Sequence, residues 1–305
     1  MLTRSKLALQ TILSCSTRES IFRSINPQLF DVTLRDGIQA ADVSKWPTHI
    51  KKETFHRILE TEQPAKMEVG SLVSPKILPI MGDSTDMYVY ARDYLKRQRS
   101  KTEAYLLVPS LNRLYSAMNG GISHMSFLTS VSESFQMKNT RRTLAETKEE
   151  LRNISRILSA NDSGITSKLY ISCVNECPIA GKIDMDFVLR EILLYHTEYD
   201  FDELCLSDTC GTLTFDEYEY LLDALLFFGI PANKLSLHLH VPPHNQQHVR
   251  RILWHSFDKQ VNKFDVSMVE TGGCSVTMET DRCLPNLSYD LFYEMTARYI
   301  EHHLS

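Results

Sequence analysis

Short apolar runs closed by polar or breaker residues recur eight times along the chain. They lie at 29–35, 66–73, 104–109, 124–130, 168–174, 203–208, 235–241 and 263–269. Each is rich in Val, Leu, Ile, Phe or Tyr, the composition of strands buried on both faces. Between them the spacing predicts helices over 48–61, 84–97, 111–119, 143–160, 184–197, 215–228 and 245–257, with a last one over 288–302. The 215–228 segment carries the pattern most clearly. Thr214 can cap it, and Tyr218, Leu221, Leu222, Leu225 and Leu226 recur at helical spacing before Gly229 and Pro231 stop it. Strand and helix alternating eight times, without a long linker, predicts a (β/α)8 TIM barrel. The alternative, a doubly wound open sheet, would place a glycine-rich phosphate loop after its first strand. Here that strand runs into Arg35-Asp36-Gly37-Ile38-Gln39, and no Gly-x-Gly-x-x-Gly follows.

Barrel enzymes carry their chemistry at the C-terminal ends of the strands. Side chains alternate across a strand, so Ser236, His238 and His240 share one face of the seventh run and leucines line the other. Two imidazoles on one face can hold one metal ion together. Arg35 and Asp36 follow the first strand, Glu68 lies in the second, and Asp208 ends the sixth. Two histidines and a carboxylate, with positions left open for water or substrate, form a usable divalent site. A His-x-His taken alone is more often a pair of core or surface histidines.

Composition narrows the function classes. Over 305 residues the formal net charge is −5 with acids and bases mixed, which gives no electrostatic argument for nucleic acid or an anionic membrane. No apolar run approaches the roughly 20 residues of a spanning helix. Seven cysteines form no Cys-x-x-Cys pair, which is the usage of a reduced compartment. Cys173 and Cys177 read as two local thiols. His244 and His248 have metalloprotease spacing, but Asn245 stands where a Glu should follow, so they read as an exposed helix face. Residues 1–26 carry four basic residues and one acid, Glu19. They read either as a mitochondrial transit peptide or as a helical or frayed extension, so matrix and cytoplasm both stay open. Residues 27–305 are then a single barrel domain.

The residues taken together resemble the 3-hydroxy-3-methylglutaryl-CoA lyases, a branch of the metal-dependent lyase and Claisen-condensing barrels. The matching stretches run from about Asp31 to Tyr299. They include Arg35-Asp36-Gly37-Ile38-Gln39, Ser71-Leu72-Val73-Ser74-Pro75-Lys76 with Met81-Gly82-Asp83, and Ser132-Glu133-Ser134-Phe135. Further on stand Cys173 and Cys177-Pro178, Ser207-Asp208-Thr209, His238-Leu239-His240, Gly272-Gly273-Cys274 and Asn286-Leu287. Val-Ser-Pro-Lys with Met-Gly-Asp points to the lyases rather than the synthases.

The resemblance implies cleavage of 3-hydroxy-3-methylglutaryl-CoA to acetyl-CoA and acetoacetate, the chemistry of leucine catabolism and ketone-body formation. It implies Mg2+ or Mn2+ held by Asp36, His238, His240 and Asn286. Arg35, with Gln39 and Ser71, would contact substrate. Cys274 would be a mobile-loop acid/base residue, and Glu68 and Asp208 would shape the polar pocket. A homodimer follows by analogy. The sequence departs from the family at four places. Val241 replaces an Asp after the second histidine, which removes a hydrogen bond behind the metal ligands that would tune metal affinity. Ser275 follows Cys274 where a Pro is usual. The stretch from Cys274 to Asn286 is longer and lacks glycines, and Ser110 replaces an Asn. These departures keep two alternatives open: a metal-dependent aldolase acting on a smaller oxo or hydroxy acid, and a non-catalytic barrel.

Overall fold

The alternation of strands and helices closes on itself. A computed structural model of the protein describes residues 3–14, 16–160, 164–273, 276–278 and 283–304. Eight parallel strands form a closed barrel: β1 (Gln28–Asp31), β2 (Lys66–Ser71), β3 (Glu103–Leu107), β4 (His124–Ser130), β5 (Thr166–Ser172), β8 (Glu203–Asp208), β9 (Leu235–Leu239) and β10 (Lys263–Val266). A two-stranded hairpin, β6 (Glu176–Cys177) and β7 (Gly181–Lys182), follows β5. The helices in chain order are α1 (Arg4–Ile12), α2 (Ser16–Ile25), α3 (Thr48–Thr61), α4 (Ser84–Gln98), α5 (Leu111–Asn119) and α6 (Glu133–Thr140). There follow α7 (Leu144–Ala160), α8 (Met185–Glu198), α9 (Phe215–Phe227), α10 (Gln246–Asp258) and α11 (Tyr289–His302).

All eight predicted runs became barrel strands, and the eight predicted helices stand within a residue or two of their expected limits. The helix α6 was not predicted. It is eight residues long, and its start is fixed by the Ser132 hydroxyl, which accepts the Phe135 N–H at 3.3 Å. The N-terminal extension is helical and docked: α1 packs on α11, Leu9 and Ile25 are buried, and Lys6 reaches Glu62 at 3.1 Å. In α9, Thr214 and Glu217 form a reciprocal cap, and Tyr218, Leu221, Leu222 and Leu225 are buried against the barrel.

The apolar layer between strands and helices forms one cluster, whereas the barrel lumen is mixed. Phe30, Tyr105, Tyr170 and Cys205 fill it beside buried charges. Lys168, 1% exposed, pairs with Asp265 and lies 3.3 Å from Glu203. Lys66 and Lys263 reach the same Glu203 at 3.2 and 3.5 Å. Burial alone would raise the Glu203 carboxyl, but Lys168, then Lys66 and Lys263, hold it well below the usual carboxylate range. A depressed folded-state pKa contributes stability above the unfolded pKa, lost as pH falls. Lys168→Met should therefore cost most at neutral pH, about 3–5 kcal/mol for a broken buried pair. The deficit should shrink below roughly pH 4, where the carboxyl becomes protonated in the unfolded chain. Urea unfolding of both proteins at pH 7 and pH 3.5 checks this.

Candidate metal centre

The first strand was expected to run to residue 35, but β1 ends at Asp31. The Asp31 carboxylate accepts from the Thr33 N–H at 3.0 Å, the Thr33 hydroxyl at 2.9 Å and the Tyr289 hydroxyl at 2.8 Å. These bonds turn the chain out of the sheet, and Thr33–Gly37 makes a wide π-helical turn closed by the Gly37 N–H on the Val32 carbonyl at 2.9 Å. Gly37 is required by its surroundings: a Cβ there would lie 2.7 Å from Ser267 Oγ and 2.8 Å from Val269 Cγ2. The turn carries Arg35 and Asp36 across the C-terminal mouth of the barrel toward β9.

On β9 the alternation places His238 and His240 on the lumen side, as expected. Each ring is oriented from behind. His238 Nδ1 donates to Asp265 Oδ2 at 3.1 Å, and His240 Nδ1 donates to the Leu284 carbonyl at 3.0 Å. In neutral rings, a proton on each Nδ1 leaves the lone pairs on the Nε2 atoms, which face each other at 3.3 Å. Asp36 Oδ2 lies 3.8 Å from the first and 3.9 Å from the second. Ligands about 2.1 Å from a shared ion sit roughly 3.0–3.5 Å apart, so this triangle is close to one face of a coordination shell. Burial alone would raise the Asp36 carboxyl, but Arg35, His238 and His240 hold it well below the usual carboxylate range. Burial and the neighbouring His238 push His240 down to about 4, against the pull of Asp36. Both ligands are thus in their metal-binding protonation states at neutral pH. Although Val241 replaces the expected Asp, each imidazole keeps a partner behind it, Asp265 for His238 and the Leu284 carbonyl for His240.

Asn286 is the fourth ligand that the resemblance implies. It pairs with His240 in an isolated antiparallel bridge and is 3% exposed, yet neither its amide oxygen nor its amide nitrogen has a hydrogen-bond partner. A buried unsatisfied polar group costs about 1–3 kcal/mol, so an amide left open beside three ligands fits an ion. The N-cap of the last helix is Ser288, whose hydroxyl accepts the Leu291 N–H. Gly272 makes room for the amide: a Cβ there would stand 2.5 Å from Asn286 Nδ2. Gly272→Ala should weaken Mn2+ binding roughly tenfold by displacing that side chain, measured as free Mn2+ by electron paramagnetic resonance.

Arg35 lies between two acids. Its Nε bonds Glu68, its Nη1 lies 2.5 Å from Asp36 Oδ1, and its guanidinium lies 5.0 Å from the centre of the Tyr170 ring. Glu68 also accepts from Ser126 and from the Tyr170 hydroxyl at 3.4 Å. A cavity of about 320 Å³ opens here, lined by Arg35, Asp36, Gln39, Ser71, His238 and His240 among others. Glu68 lies behind this wall and acts through Arg35. Asp208 does not shape the pocket as expected. Its carboxylate accepts the N–H groups of Thr212 and Leu213, both at 3.1 Å, and so closes the loop after β8, while its neighbours Ser207 and Thr209 face the cavity. Burial raises Asp208 to about 6. Cys274 lies outside the described residues. Gly273, just before it, adopts φ 91° and donates its N–H to Asp36 Oδ2 at 3.1 Å. His248 is a cap for α9, accepting the Phe215 N–H at 3.1 Å, while His244 is exposed in the turn before α10. Cys173 and Cys177 are free thiols. The sequence reading missed Asp265, Lys168 and Tyr170.

Residues 26–246 match the model of the HMGL-like family. The chain belongs to the HMGL-like family. It is 31% identical over 212 residues to the hydroxymethylglutaryl-CoA lyase YngG of Bacillus subtilis, covering 69% of this chain and 67% of that protein. It is 29% identical over 252 residues to the mitochondrial hydroxymethylglutaryl-CoA lyase of Arabidopsis thaliana, covering 81% of this chain and 50% of that one. The chain thus spans between half and two thirds of the length of these relatives. A bacterial HMG-CoA lyase solved with coenzyme A and 3-methylmalate shares the fold, with a TM-score of 0.73 at 21% identity over 87% of this chain and 81% of that one.

Proposed function

We propose that this HMGL-like chain is a carbon–carbon lyase that cleaves 3-hydroxy-3-methylglutaryl-CoA to acetoacetate and acetyl-CoA. The observation that carries the reading is the triangle of Asp36, His238 and His240, with the unsatisfied Asn286 amide beside it and Arg35 on the wall of the same cavity. The names of the relatives favour this substrate, and the coenzyme A held by one structural neighbour favours a thioester.

Asp36, His238, His240 and Asn286 would hold one divalent ion, Mg2+ or Mn2+. Such an ion, when bound, lowers the pKa of a hydroxyl beside it and fixes its orientation. The remaining roles belong to the chain. Breaking the bond between C2 and C3 leaves an electron pair on the acetyl-CoA fragment as an enolate. Arg35, fixed by Glu68 and Asp36 and permanently charged, stabilises the thioester oxygen where that charge collects. Cys274 is proposed, from the family resemblance, as the acid that returns a proton to the enolate carbon. Purified protein incubated with the glutaryl thioester and Mg2+ or Mn2+ should form acetoacetate and acetyl-CoA in equal amounts. Absence of both products from metal-loaded protein would refute the assignment.

A further inference from the structure

The metal centre is supported from below by a chain of buried charges that reaches His238. Lys168 enters the lumen from β5 and is fully enclosed, with its ammonium 3.9 Å from the Phe30 ring centre and 4.7 Å from that of Tyr170. It bonds Asp265 Oδ1 on β10, and Asp265 Oδ2 accepts from His238 Nδ1 at 3.1 Å. Each carboxylate oxygen therefore has one assigned partner, a cation on one side and an imidazole N–H on the other. Asp265 is 1% exposed, so no water competes for either oxygen.

We propose that Lys168 and Asp265 are positioning residues that fix the tautomer of His238, keeping its Nε2 as the unprotonated atom facing Asp36 and His240. Lys168 supplies the direction. As a donor-only group it takes Oδ1 on its own side, and the carboxylate presents its other oxygen, also an acceptor, to His238. The inference rests on the reading of His238 as a metal ligand, but the tautomer can be measured without metal.

Asp265→Asn makes the logic visible. Lys168 will hold the carboxamide oxygen, so the carboxamide NH2 must face His238 Nδ1. An NH2 can only donate there, which drives the ring proton to Nε2 and blocks the atom that should bind the ion. An isosteric change of this kind in a catalytic triad lowers turnover about 10⁴-fold by imposing the wrong tautomer. Adding Lys168→Met to Asp265→Asn removes the demand, and the carboxamide can turn its oxygen to His238 Nδ1–H. The second substitution should therefore repair part of what the first destroys, although by itself it breaks a buried ion pair.

The test uses the full chain, ¹⁵N-labelled at histidine. In metal-free wild-type protein, the ring nitrogen shifts should place the His238 proton on Nδ1; in Asp265→Asn the proton should move to Nε2. Mn2+ affinity, read by paramagnetic resonance, should fall roughly 10–100-fold in Asp265→Asn, the usual range for loss of a ligand's hydrogen-bond partner. It should recover at least fivefold in Lys168→Met/Asp265→Asn. A purely structural ion pair predicts instead that the double variant binds Mn2+ no better than Asp265→Asn, and that result would overturn the proposal. Retention of the proton on Nδ1 in Asp265→Asn would overturn it as well, and this measurement stands even if the double variant does not fold. Failure of wild-type protein to bind Mn2+ would count against the metal reading alone, since the tautomer shifts are recorded without metal.

Discussion

Arg35→Gln should lower kcat by about 10²–10³ or more, the cost of losing one fixed charge-stabilising donor, while Mn2+ binding is unchanged or tighter. The direction of the second effect follows from the position of the guanidinium. Arg35 Nη1 lies 2.5 Å from Asp36 Oδ1, so a cation bound at Oδ2 shares its carboxylate with a second positive charge. Removing that charge releases Asp36 to the ion. Glutamine can still donate to Glu68, which also keeps Ser126 and Tyr170 as donors, so the buried acid is not stranded. Loss of turnover with retained metal would locate Arg35 in the chemistry. Parallel loss of turnover and metal would instead make it a scaffold for Asp36. Steady-state kinetics and Mn2+ titration on one preparation separate the two.

The barrel was legible because strands buried on both faces force compact apolar runs, and because the segments between them are longer and carry a helical period. His238 and His240 were legible from strand alternation alone. Asp36 was legible as a residue but not as a geometry. The turn that presents it depends on the Tyr289 hydroxyl, which lies 258 positions away in the chain and has no local signature. The expectation for Asp208 failed for a related reason. A carboxylate at a strand end can serve a ligand or the next loop, and here two loop amides claim it. Asp265 and Lys168 left a signal that went unread. Each is a charged residue inside a run assigned to a buried strand, and a buried charge must have a partner. The short helix α6 offers only a capping serine and two buried residues, too little periodicity for its eight positions.

Asp36→Asn is expected to have the largest effect on the metal centre: weaker Mn2+ binding by about two orders of magnitude, since ligand charge count sets affinity for hard cations. Turnover at ordinary metal concentrations should be lost with it. The change is close to isosteric. The carboxamide oxygen can still accept the Gly273 N–H, now made at 3.1 Å, so the chain before Cys274 keeps its anchor. What disappears is the anionic charge between Arg35 and the two imidazoles, together with the Oδ1 acceptor of the Arg35 Nη1 bond. Asn286 carries no charge, and it cannot replace the one lost. Saturating Mn2+ should therefore restore part of the turnover of Asp36→Asn, because the site is weakened rather than dismantled. The same excess should do nothing for Arg35→Gln, whose defect lies in charge stabilisation. This opposite response to added metal distinguishes a residue that holds the ion from one that acts beside it. If stripped Asp36→Asn protein turned over at the wild-type rate without added metal, the ion would have no part in the reaction.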